Sequence, residues 1–170
     1  MTMKLHGHRL RLASRMSELR NRLSRARYFR GHGVHSPFVY DLVRAVFMRH
    51  ELYAGDRRLY ETLLAQGIGM RRAVQLQNLA IHCGYATFGM NRADADLCIF
   101  TREFDPAATV RLLLEASAGG HTVVLLAPYA DRERQQLCRR LIAAHRSTTV
   151  DNRAYLLFFN NYLPKQHFRL

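Results

Sequence analysis

The sequence predicts an α/β domain with a mostly parallel sheet, helices toward its amino terminus and an antiparallel hairpin near its carboxyl terminus. Two short apolar runs, Asp96-Leu97-Cys98-Ile99-Phe100-Thr101 and Thr122-Val123-Val124-Leu125-Leu126-Ala127, read as strands, the second of the fully buried type. Between them, Pro106 to Ser117 sets Val110, Leu113 and Leu114 on one helical face, and Gly119-Gly120 ends it. The three segments together read as a βαβ unit. The third indication is a β-rich tail, where Thr148-Thr149-Val150 and Tyr155-Leu156-Leu157-Phe158-Phe159 flank a turn at Asp151-Asn152-Arg153.

The first half of the chain reads as helical. Leu12, Met16, Leu19 and Leu23 recur at steps of four, three and four, so residues 9–29 form one apolar stripe in an otherwise basic helix. Gly31, His32, Gly33, Val34 and His35 break it. Ser36 then caps a second helix with Pro37 at its first position, in which Phe38, Leu42, Val46 and Val39, Val43, Phe47 make two adjacent apolar rows. A third helix includes Leu59 to Gln66 and ends near Gly67 and Gly69. Ala73 to Ile81 alternates as a strand would. After Pro128 a further helix spans about Asp131 to His145, and Lys165 to Leu170 adds a last edge strand.

The length suits one domain, 1–170, with a basic helical region at 1–50 and the sheet at 73–170. A hydrophobic content of 48% supplies a core despite a net charge of +13. Residues 1–50 hold eleven Lys or Arg against Glu18 and Asp41, with Arg9, Arg11, Arg15, Arg20, Arg22, Arg25, Arg27 and Arg30 as the basic patch. Such a field attracts nucleic acid or an acidic protein partner; a solvated helix face is the plainer alternative. No apolar run spans a bilayer and none resembles a secretory leader, so a cytoplasmic location is expected. Cys83, Cys98 and Cys138 lie far apart and odd in number, consistent with reduced thiols.

Three stretches resemble the class I S-adenosylmethionine-dependent methyltransferases, in a bacterial branch that begins with a basic helix and a histidine-bearing turn. The most specific is His32-Gly33-Val34-His35-Ser36-Pro37-Phe38-Val39-Tyr40-Asp41-Leu42-Val43. The tail, through Thr149-Val150-Asp151, Leu157-Phe158-Phe159 and Leu163-Pro164-Lys165-Gln166-His167-Phe168, resembles the hairpin that closes such a sheet. Gly84-Tyr85-Ala86-Thr87 resembles the end of the family's glycine loop. The resemblance implies a Rossmann-like fold, shortened here because only residues 82–95 separate the expected strand at 73–81 from the next.

The family grips its methyl donor with a glycine-rich loop and an acid on the ribose, and neither is intact. No acid stands between Glu61 and Asp94. The resemblance therefore implies a degenerate, noncatalytic member that acts as a binding or assembly module, needs no cofactor and can pair with a second copy across an open sheet edge. The alternative is an active methyltransferase with an atypical or subunit-completed pocket, in which His82, Gly84, Tyr85 and Thr101 bind S-adenosylmethionine. Glu103 and Asp131 follow strands as carboxylates of such an enzyme would, or as helix caps do. No metal site is expected: His32 and His35 lack further ligands in sequence, and hydrogen bonds to their turn and the capping region account for them better. Cys83 beside His82 reads as a buried thiol rather than a nucleophile.

Overall fold

The computed structural model describes residues 36–160 and 163–170. The expected basic helix at 9–29, its arginines and His32, Gly33 and His35 of the histidine turn lie outside the described residues. The described elements run α1 (Pro37–Leu42, continued by a π-helical turn Val43–Phe47), α2 (Arg58–Ala65), α3 (Met70–His82), β1 (Phe88–Met90), β2 (Leu97–Phe100), α4 (Pro106–Ala118), β3 (Thr122–Leu126), α5 (Arg132–Ala144), β4 (Thr149–Asp151), β5 (Tyr155–Phe158) and β6 (His167–Arg169).

The six strands form one mixed sheet in the order β1-β2-β3-β5-β4-β6. β1, β2 and β3 are mutually parallel, β5 runs antiparallel to both β3 and β4, and β6 is parallel to β4. Alternation along each strand divides the core in two. Leu97, Ile99, Val124, Leu126 and Leu157 face α1, α2 and α3, while Cys98, Phe100, Val123, Leu125 and Phe158 face α4 and α5. The result is a sheet between two helical layers, which explains why its central strands read as unbroken apolar runs.

The expected strand at 73–81 is a helix instead. Within nine residues the spacing Ala73, Leu76, Leu79, Ala80 satisfies a helical period as well as alternation does, and Ala, Leu and Gln favour the helix. The polar residues that suggested a solvent face are themselves buried, because α3 is surrounded. Gln75 donates to Phe47 O (2.9 Å), Gln77 accepts from Tyr60 N (3.0 Å), and Asn78 accepts from Tyr53 N (2.9 Å) and donates to Glu51 O (2.8 Å). These amides satisfy open main chain between the end of α1 and the first turn of α2. The sheet accordingly begins at Phe88 rather than at 73.

β1 was not expected from the sequence, and its link to β2 is unusual. Parallel neighbours normally need a crossover of a dozen or more residues, yet residues 91–96 suffice here because β1 has only three. Ala93 and Ala95 tuck beneath the sheet, and Arg92 pairs with Asp94 on the outside. No helix intervenes between these two strands.

At the start of α1, Ser36 Oγ accepts from Val39 N (3.4 Å) and Pro37 occupies the first turn. Phe38 meets Phe159 edge to face at 5.0 Å, which joins the front of the described chain to the end of β5.

Candidate functional site

In a parallel sheet a ligand is received beyond the carboxyl ends of the strands, which makes the two ends chemically distinct. The sequence candidates do not share an end. His82, Gly84 and Tyr85 precede β1 at the amino end, whereas Thr101 follows β2 at the carboxyl end.

Gly84 terminates α3. With φ at +69° it takes the left-handed position after the helix, and Tyr85 N donates back to Ala80 O (2.9 Å) in a Schellman closure. The next amides are turned toward a side chain: Ala86 N (3.0 Å), Thr87 N (2.8 Å) and Thr87 Oγ1 (2.9 Å) all donate to Asp96 Oδ2. These bonds favour the charged carboxylate, and the two from Thr87 contribute most to holding the Asp96 carboxyl below its usual range. The loop that resembled a ligand cradle is thus closed by the chain's own acid.

Tyr85 reaches inward, its hydroxyl 2.7 Å from Thr122 Oγ1, and burial raises its ionisation well above that of free tyrosine. His82 Nε2 lies 2.7 Å from Asp41 Oδ2, tying the end of α3 to α1. Cys83 is half-buried and burial pushes its thiol up, which leaves it unreactive relative to an exposed cysteine. Cys98 and Cys138 are buried free thiols.

The carboxyl end is lined differently. Arg134, 7% exposed, extends its guanidinium across the ends of β2 and β3: Nε and Nη2 donate to Leu126 O (3.1 and 2.8 Å), Nη2 to Thr101 O (3.1 Å) and Nη1 to Arg102 O (3.4 Å). Thr101 is also held by Asn91, whose Oδ1 accepts from Thr101 N at 2.9 Å. Nearby, Tyr129 donates to Asp151, a fully buried carboxylate whose other oxygen accepts from Arg153 N (2.8 Å). Asn91, Ala127 and Arg153 all have positive φ, and all three sit at this end.

Asp131 is a helix cap, accepting from Arg134 N (2.8 Å), and Asp105 caps α4 through Ala108 N (2.6 Å). Glu103 is exposed. Among the described residues no three His, Cys, Asp or Glu side chains gather as a metal site requires, and no helix is long and apolar enough to cross a membrane.

Sequence reasoning missed Asp96, Asn91 and Arg134. The last left a signal, because Arg134 falls on the stripe formed by Leu137, Cys138 and Leu141, where a cation is out of place unless its head is fully bonded. Comparison of the chain with protein-family models, with curated proteins and with solved structures gives no match in any of the three.

Proposed function

We propose that the chain is a noncatalytic binding or assembly module, built on a shortened, methyltransferase-like Rossmann fold and acting through its basic amino-terminal region. The observation that carries this reading is the closure of the strands' carboxyl ends by Arg134, Asn91 and the pair Tyr129 and Asp151. A fold of this kind takes its ligand where a helix follows the first strand and offers free amides to it. Here β1 passes directly into residues 91–96, and the helix starts after β2 and β3 are capped by Asp105 and Asp131.

The residues present do not suit S-adenosylmethionine. Its expected loop amides at Ala86 and Thr87 are bonded to Asp96, and Thr101 lies at the opposite end of the sheet from His82, Gly84 and Tyr85. The charge of +9 over residues 1–50 remains as the feature a lost cofactor site does not explain, and it suits a nucleic acid or an acidic protein.

Calorimetric titration of the full chain with S-adenosylmethionine tests the reading. Absence of both heat and thermal shift is expected, and micromolar binding would overturn it in favour of an active methyltransferase. Mobility shifts with mixed RNA and DNA at two salt concentrations address the partner. Retardation at low salt that fades at high salt is expected for nucleic acid.

A further inference from the structure

A cleft of about 320 Å³ opens beside Arg134, between the segment after β2 and the first three turns of α5. Its volume is at the lower end of small-ligand sites. Arg102, Arg134 and Arg140 are among the residues that line it.

The charges here are unevenly matched. All hydrogen bonds of the Arg134 guanidinium go to main-chain carbonyls, so among the described residues it is bonded to no carboxylate. Of its five N–H groups one on Nη1 is left over, the other being spent at 3.4 Å on Arg102 O. The Arg102 and Arg140 side chains are exposed and make no hydrogen bond or ion pair among the described residues. Two acids also line the cleft. Asp131 already gives one oxygen to Arg134 N, and Glu133 is exposed in the first turn of α5.

We infer that this cleft binds a phosphate monoester, with Arg102 and Arg140 gripping its oxygens and Arg134 adding a buried positive charge beside them. A small concavity lined by three arginines suits a compact, multiply charged anion, because Arg102 and Arg140 can each present paired N–H donors to phosphate oxygens and Arg134 its one remaining donor. A phosphodiester of an extended strand carries one charge per phosphate and gains less from a closed cleft than from an open basic surface. The residues that line it belong neither to the basic stretch 1–50 of the sequence nor to the set His82, Gly84, Tyr85 and Thr101 expected to hold a methyl donor.

Titration of the full chain with inorganic phosphate and with adenosine monophosphate at low ionic strength tests the inference. The control is Arg102→Gln/Arg140→Gln, whose side chains are exposed, with its fold verified by circular dichroism melting. Saturable binding to the parent chain and at least ten-fold weaker binding to the variant are expected. Equal affinities would place any binding on the amino-terminal arginines and overturn the inference, as would failure of both probes to saturate. Loss of oligonucleotide binding in the variant without saturation by either probe would make the cleft a nucleic-acid contact, again overturning it. None of these outcomes depends on S-adenosylmethionine, so the inference and the proposed function fail separately.

Discussion

The two ends of the parallel strands meet the same problem with opposite charges. Amino ends expose N–H groups, and there the carboxylate of Asp96 collects the amides of Ala86 and Thr87. Carboxyl ends expose C=O groups, and there the guanidinium of Arg134 collects the carbonyls of Thr101, Arg102 and Leu126. Each end is closed by the ion that the main chain calls for. The ends differ in depth. Asp96 is partly exposed and water can replace its bonds, whereas Arg134 is buried and water replaces its bonds less readily.

Arg134→Met is therefore the most severe way to break the comparison. It removes the donor from three carbonyls and is expected to lower stability by about 3 kcal/mol or more, read by urea unfolding. A loss below about 1 kcal/mol would show that the carboxyl end does not depend on the guanidinium.

Asp96→Asn should cost less, about 1 kcal/mol, because solvent reaches the group. Its pH dependence gives a sharper signature. With the folded carboxyl held below its usual range, its contribution is present above the unfolded value near 3.8 and is lost as pH falls through the lower, folded one. The variant should lack that acid-side loss in a pH series of unfolding curves. An unchanged slope would remove the charge from the account.

Gly84→Ala should have the smallest effect, up to about 1 kcal/mol. A Cβ there meets nothing within 4 Å, so only the left-handed backbone resists it. A melting temperature that falls much further would mean the loop itself tolerates no adjustment.

What was legible in the sequence was local and strongly patterned. Ser36-Pro37, Pro106 with Gly119-Gly120, and the apolar runs at 97–100 and 122–126 all occur in the elements they suggested. The segment at 73–81 misled because nine residues fit both periods and because a helix buried all round hides its amides from solvent. β1 was missed for the opposite reason: Phe88-Gly89-Met90 is too short to show any period, and Gly89 argues against a strand. For the candidate site, Thr101 and the 84–87 loop were recognised as positions of interest, but their partners Asn91, Asp96 and Arg134 were not. Those bonds span from nine to more than thirty residues of chain, and no local spacing encodes them.

By itself the sequence determined the α/β class, the order of the elements after residue 96, the capped second helix and the concentration of positive charge at the front. These follow from side-chain period, capping chemistry and composition, which act over a few residues at a time. Only the tertiary structure decided that α3 is a helix, that β1 pairs with β2 across a six-residue link, and that main-chain groups at both strand ends are bonded by the chain's own side chains. Those outcomes depend on which main-chain groups are left unbonded once the layers pack, and that is a property of the assembled sheet.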